Sequence, residues 1–443
     1  MNRAEWKYKI AHAIKMLMAS FAWLLLVVLL LVAFNLKSPY LFIFRQYETP
    51  ALLLICGVAY LAYFRRIRGF LRGLSHILLL AVVILTFIGE ACFQYHKYTV
   101  LNNDMEMPAM LGEHFIIGYK TVDEIAPLVR QGLIGGVFIT RRNTAGKGVE
   151  ELRQEIEMLQ QMRAEAGLRP LMITTDQEGG IVSHMSPPLE QMPALASLVS
   201  DGVSKEVIID KAFAYGQAQG RGLAALGVTV NFSPVVDLMP QTMNRSLDFH
   251  SHIAQRAVSA DPELVRDVAT AYVKGLNTEG IYGTLKHFPG LGHVPDDTHH
   301  FSAVLDIPVD ELQHNDWVPF RDVGRLGGAF IMVGHVVVSF VDRENPASFS
   351  KPVVQGIIRD GWLHEGVLVT DDMTMRAAYR HDLCNATVKA LNAGMDLILI
   401  SYDYEKFYDV FYCVNKAYED GSLDTMALNR SRERLRQLVY RNH

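Results

Sequence analysis

Between Lys15 and Lys37 the chain runs through 21 residues, MLMASFAWLLLVVLLLVAFNL, without a charge. Peptide groups in so apolar a stretch have no water to bond and must satisfy one another, so the segment folds as a helix long enough to cross a bilayer core of about 30 Å. It is too long for a removable signal peptide and lacks a convincing small-residue cleavage site. Two further apolar runs follow, Thr49 to Phe64 and Gly73 to Gly89. Both are short for a crossing, and each could instead form a re-entrant or interfacial hairpin.

The expectation is an all-α transmembrane segment of about three helices, a membrane anchor over residues 1–95 with membrane lipid as its partner. Arg3, Lys7, Lys9 and Lys15 precede the first run, and Arg65, Arg66, Arg68 and Arg72 fill the loop between the second and third. The positive-inside rule puts both groups in the cytoplasm. Three crossings, or the first alone, then place the remaining chain outside, whereas two leave it inside. The reading is a multi-pass membrane protein with its main domain on the outer side.

From about residue 108 the pattern changes to short apolar runs alternating with helical periodicity. Strands are expected at 114–119, 135–140, 171–176, 228–235, 280–288, 329–338, 366–372 and 396–401. Helical stretches such as 147–166, 205–225, 262–279 and 377–393 lie between them. Eight strands, each with room for a following helix, predict an α/β fold, a (β/α)8 TIM-type barrel over residues 96–443. An open doubly wound sheet is the competitor, but no glycine-rich phosphate fingerprint follows the first strand.

In a barrel the chemistry gathers at the C-terminal ends of the strands. Those ends carry Asp176, Asn231, Lys286 with His287, His335, and Asp371 with Asp372. After Phe288, Pro289 and Gly290 break the strand, and the loop carries Asp296, Asp297, His299 and His300. Asp297 stands two residues before His299, close enough for a carboxylate to raise the imidazole's pKa and fix its tautomer, as a proton donor near neutral pH requires. Asp371 emerges from the apolar strand VLVT as a candidate nucleophile; Asp372 is the alternative, or a helix cap. A rim carboxylate facing an imidazole is the pair that glycoside cleavage needs.

A net charge of −5 over 443 residues is not basic enough to suggest nucleic acid as a partner. Cys56, Cys92, Cys384 and Cys413 show neither CxxC nor metal-ligand spacing, so free thiols are expected, and no metal or other cofactor is called for. Oligomeric state is not legible.

Several motifs together resemble glycoside hydrolase family 3, and within it the bacterial β-N-acetylglucosaminidases. They are TDQEGG (175–180), NFSPVVD (231–237), NRS (244–246), KHFPGLG with DTH (286–292 and 297–299), PASFS (346–350), TDDMTM (370–375) and AGMDLIL (393–399). The resemblance implies that Asp371 is the nucleophile of a covalent glycosyl-enzyme and His299 the general acid/base, paired with Asp297. It implies that Asp176, Arg245, Lys286 and His287 hold the hydroxyls of an amino-sugar glycan, and that the anomeric configuration is retained. Ile181 and His184 stand where the family carries arginines, and Leu247 where it carries an aromatic. The apolar N-terminus is a further departure. A β-glucosidase, a phosphorylase and a non-catalytic glycan-binding module are the competing functions.

Overall fold

The computed structural model describes residues 3–102, 107–200, 202–240, 252–294, 303–379 and 382–438. The chain divides into two compact units, Met1–Thr99 and Val100–His443.

The first unit is three helices, α1 (Arg3–Phe34), α2 (Glu48–Ala62) and α3 (Phe70–Leu101). Trp23 of α1 meets Phe64 just past the end of α2, with ring centroids 5.6 Å apart. Thr49 at the start of α2 donates to Glu90 of α3 at 2.9 Å, and Tyr60 near its end meets His76 at 5.5 Å. The helices therefore run up, down and up. Leu26, Leu52 and Val82 close the space between them, while Leu24, Leu54 and Leu80 face outward uncovered. Among the described residues two helices are long and apolar enough to cross a membrane, within Glu5–Phe34 and Phe70–Leu101. The middle run, expected as a third crossing, forms a helix of 15 residues. At about 1.5 Å per residue that is shorter than a bilayer core.

The second unit is an α/β fold built on eight strands, β1 (Phe115–Gly118), β2 (Gly136–Ile139), β3 (Met172–Thr175), β4 (Val230–Asn231), β5 (Gly283–Phe288), β6 (Ala329–Val333), β7 (Leu368–Thr370) and β8 (Ile398–Ile400). Each falls within an expected strand. Parallel ladders join β8 to β1, β1 to β2, β2 to β3 and β3 to β4. Others join β5 to β6 and β6 to β7. Parallel bridges Val230–Tyr282 and Val235–Lys286 connect β4 with β5, and Val369–Leu397 connects β7 with β8, so the order of neighbours returns to its start. One core cluster, with Ile116, Phe138, Met172, Val230, Met332 and Leu399 among its members, draws on strands all along that order.

Helices pack against the strands. Asp261 caps the helix Pro262–Thr278, accepting from the Glu263 amide at 3.0 Å, with Pro262 in the first turn where its missing N–H costs nothing. That helix lies tightly against Lys205–Ala225. A Cβ on Gly216 would stand 2.2 Å from the Tyr272 carbonyl oxygen, and one on Gly275 2.3 Å from that of Phe213, so glycine sets the spacing.

Two expected elements are divided. The apolar run 329–338 breaks at Gly334–His335, and its second half, Val336–Val338, pairs in parallel with Ala303–Leu305. The expected helix 377–393 is resolved into Arg376–Tyr379 and Leu383–Ala393, the latter capped by Asp382. The cysteine expectation is corrected as well: Cys384 and Cys413 form a disulfide, with Cα atoms 5.7 Å apart, while Cys56 and Cys92 are free. The two bonded cysteines sit 29 residues apart on adjacent helices, Leu383–Ala393 and Lys406–Glu419, a proximity that only the packing creates.

Candidate active site

The C-terminal ends of β3, β5, β7 and β8 open on a cavity of about 210 Å³, lined by Asp176, Lys286, His287, Asp371, Asp372 and Tyr402 among others. Phe138, Met332 and Leu399, from the inner faces of their strands, form apolar parts of its wall. The expected site residues Asp176, Lys286, His287 and Asp371 thus share one cavity. Asp297, His299 and Arg245 lie outside the described residues.

Lys286 is 1% exposed, and its ammonium bonds to Asp176 and, at 2.7 Å, to Glu178. Burial alone would pull its pKa down, yet the two carboxylates hold it above the usual lysine value. Glu178 in turn accepts from Arg256 Nε at 2.9 Å and Nη2 at 2.7 Å. Buried between two cations, it is kept well below the carboxylate range despite its desolvation. His287 is bonded to Lys286 by a cis peptide. Its Nδ1 lies 2.8 Å from Asp237 Oδ2, and the same carboxylate accepts the His287 and Leu291 amides. One buried aspartate therefore fixes both the imidazole and the start of the loop that leaves β5.

The two aspartates after β7 have divided tasks. Asp372 is buried and saturated: Oδ1 accepts from the Thr374 amide and hydroxyl, both at 2.9 Å, and from the Ser401 amide, while Oδ2 accepts from the Ser401 hydroxyl and the Tyr402 amide. It ties the turn after β7 to the end of β8. Asp371 is half-buried, accepts the Asp372 amide at 2.8 Å and lines the cavity, so it is the one placed to meet a ligand. Behind them, His335 Nε2 lies 3.2 Å from the Asp372 carbonyl oxygen and Nδ1 2.8 Å from the Ser348 hydroxyl. The carbonyl can only accept, so Nε2 carries the proton. Burial lowers the His335 pKa, partly offset by Asp371, and keeps the ring neutral.

Not every polar strand end belongs to the cavity wall. Asn231 sits behind it, pairing with the backbone of Gln177 at 2.9 and 2.8 Å. It clamps the hairpin Gln177–Gly179/Val182–Ser183, whose turn needs glycine: Gly179 has φ +92°, and a Cβ there would stand 2.1 Å from the Tyr215 hydroxyl. The hairpin carries the two positions that lack arginine. Ile181 is exposed and His184 half-buried, its ring 5.9 Å from that of Phe138, and both line the cavity.

Sequence reading missed Arg256, Arg141 and Tyr402, all of which line the cavity. Arg256 follows the apolar pair Ile253–Ala254 shortly before the Asp261 cap, and a lone arginine there carries no periodic signal. Arg141 and Tyr402 do follow strands directly, in GVFITR and LILISY, so the rule that singled out Asp176 also covers them.

The model of the glycosyl hydrolase family 3 N-terminal domain matches residues 102–438. The chain is 35% identical over 274 residues to a protein named beta-hexosaminidase in Xanthomonas oryzae pv. oryzae, a match covering 61% of this chain and 77% of that one. A beta-hexosaminidase of Nitrosomonas eutropha is 30% identical over 304 residues, covering 68% and 82%. Among solved structures, a family 3 beta-N-acetylglucosaminidase from Paenibacillus sp. superimposes with a TM-score of 0.68 at 29% identity, over 75% of this chain and 62% of that one.

Proposed function

Since the chain belongs to glycosyl hydrolase family 3 as a β-hexosaminidase-type glycoside hydrolase, we propose that it is a retaining exo-β-N-acetylglucosaminidase acting on peptidoglycan-type glycans. The observation that carries this reading is Asp371, a carboxylate at the wall of a cavity that also carries Asp176, Lys286, His287 and Arg256.

In this mechanism Asp371 attacks the anomeric carbon while His299, paired with Asp297, protonates the departing glycosidic oxygen. Water then displaces the aspartate, giving its proton to His299, and the sugar leaves with its original configuration. Asp176 accepts from sugar hydroxyls, and Lys286, His287 and Arg256 donate to them; Arg245 is assigned the same task. The pairing of Lys286 and Arg256 with Asp176 and Glu178 supports these roles, because each donor is held in place before a sugar arrives.

The fold is read as a (β/α)8 barrel, supported by the cyclic order of its parallel strands, with the site at their C-terminal ends. Residues 1–95 are read as a multi-pass anchor in a bacterial inner membrane, in contact with lipid. Along α3 the interval from Arg72 to Glu90 contains no charged residue, and at 18 steps it spans about 27 Å, close to a bilayer core. Because α2 lies alongside that interval, from Thr49 at Glu90 to Tyr60 at His76, it is counted as a third and shorter crossing. The Cys384–Cys413 disulfide supports the outer, oxidising side for the catalytic unit.

The direct test is turnover of nitrophenyl N-acetyl-β-glucosaminide by the detergent-solubilised chain, with the β-glucoside in parallel. No turnover, or full turnover after Asp371→Ala, ends the reading. A reporter fused after Tyr95 and active in the cytoplasm would overturn the topology.

A further inference from the structure

The motif PASFS (346–350) contributes no residue to the cavity wall, yet Ala347, Ser348, Phe349 and Ser350 are all buried. Its place is behind the wall, against His335. The Ser348 hydroxyl lies 2.8 Å from His335 Nδ1, and the Phe349 ring stands 5.4 Å from the imidazole, tilted by 34°. Because Nε2 of the neutral ring carries the proton toward the Asp372 carbonyl, Nδ1 can only accept, and Ser348 donates to it. A buried hydroxyl therefore keeps the ring in one tautomer.

His335 is itself held where β6 ends. Gly334 before it donates to the Phe288 carbonyl at 2.7 Å, and Val336 after it opens the strand paired with Ala303–Leu305. The imidazole is thus a fixed donor aimed at the turn after β7. Two amides of that turn bond to the neighbouring strands, Asp371 to Val333 of β6 at 3.0 Å and Met373 to Leu399 of β8 at 2.9 Å. Between them, the Asp372 carbonyl takes its bond from His335. The Asp372 amide is the one that Asp371 Oδ1 accepts at 2.8 Å, so the set of residue 372 decides where the Asp371 carboxylate points.

We infer that His335, backed by Ser348, is a positioning residue for Asp371: its Nε2–H pins the Asp372 carbonyl, and the Asp372 amide then holds the Asp371 carboxylate toward the cavity. The inference rests on the hexosaminidase reading above, in which Asp371 attacks the anomeric carbon, and deepens it. A reacting group displaced by 1 Å loses about a hundredfold in rate, so a donor two bonds away from the chemistry matters. Burial keeps the ring neutral. It therefore orients the turn without setting a positive charge beside the attacking carboxylate.

The test uses the full chain in detergent with nitrophenyl N-acetyl-β-glucosaminide. His335→Leu, which fills the space without a donor, is expected to lower kcat about 30-fold while KM moves less than about threefold. His335→Gln, whose amide donates in place of Nε2, restores part of kcat, and Ser348→Ala lowers it about fivefold. The substitutions are then repeated in Asp371→Gly with azide, which attacks the anomeric carbon in place of the carboxylate and forms a glycosyl azide as nitrophenolate leaves. With no carboxylate to position, His335→Leu should leave azide-dependent turnover within about twofold. An equal loss in both backgrounds marks a merely structural role and overturns the inference. If His335→Leu does not fold, Ser348→Ala in the two backgrounds makes the same comparison; if azide supports no turnover, equal kcat in His335→Leu and His335→Gln overturns the inference. Wild-type kcat in both His335→Leu and Ser348→Ala also overturns it while sparing the hexosaminidase reading. Absence of turnover by wild type overturns both.

Discussion

Arg256 meets Glu178 edge to edge, Nε to Oε2 at 2.9 Å and Nη2 to Oε1 at 2.7 Å, and the same Oε1 is 2.7 Å from the Lys286 ammonium. Two cations thus share one buried carboxylate, and Asp176 supplies the fourth charge of the group. Neutralising Glu178 leaves two buried cations against Asp176 alone. Removing one member of a buried pair costs about 3–5 kcal/mol, and Asp176 offsets part of that here. Glu178→Gln is expected to lose about 3 kcal/mol, read as a fall in melting temperature, together with a clear loss of kcat/KM. A melting curve equal to wild type would refute the network.

Asp371 and Asp372 are neighbours with opposite expected phenotypes. Asp371→Ala removes the carboxylate proposed to attack, together with the hydrogen bond it accepts from the Asp372 amide, so kcat is expected to fall at least about a thousandfold with a smaller change in melting temperature than in Asp372→Ala. Asp372→Ala strands the Thr374, Ser401 and Tyr402 donors, at about 1–3 kcal/mol for each one left unsatisfied, so the melting temperature drops. If the two variants exchange these outcomes, Asp372 is the nucleophile.

The strand runs were legible because parallel strands covered on both faces read as continuous apolar segments, and Phe115–Gly118, Gly136–Ile139 and Met172–Thr175 are buried throughout. Asp176, Lys286 and Asp371 were legible as polar residues ending such runs. Arg256 was not, because its partner Glu178 lies 78 residues away and long-range pairing leaves no local period. The disulfide escaped for the same reason. Glu178 stood inside a recognised motif, but its environment of two cations exists only once the fold has brought Lys286 and Arg256 to it.

Burial pushes the His364 imidazole down to about 3, with the neighbouring Arg359 cation acting in the same direction. Unfolded, the same ring titrates near 6.5. As pH falls the unfolded chain takes up the proton first, so this contribution is complete above about 6.5 and is lost progressively toward 3, at up to about 1.4 kcal/mol per pH unit. His114 and His335, also depressed by burial, act in the same direction. Thermal melts from pH 7 to 5 should show declining stability, with a shallower decline in His364→Phe than in wild type. A pH-independent melting temperature over this range would contradict a buried, neutral His364.

Cys384 and Cys413 tie Leu383–Ala393 to Lys406–Glu419, the helices on either side of β8, and β8 leads directly into Ser401 and Tyr402 at the cavity. Closing a loop over a separation of 29 residues restricts the unfolded chain by about 3–4 kcal/mol in the chain-entropy account. Replacing both cysteines by serine should lower the melting temperature, and reductant should bring wild type to the same value while leaving the variant where it was. Alkylation of the denatured chain without reductant should label Cys56 and Cys92 alone. Labelling at all four positions in protein taken directly from cells would mean that the catalytic unit matured in a reducing compartment, and the outward topology would fall with the disulfide.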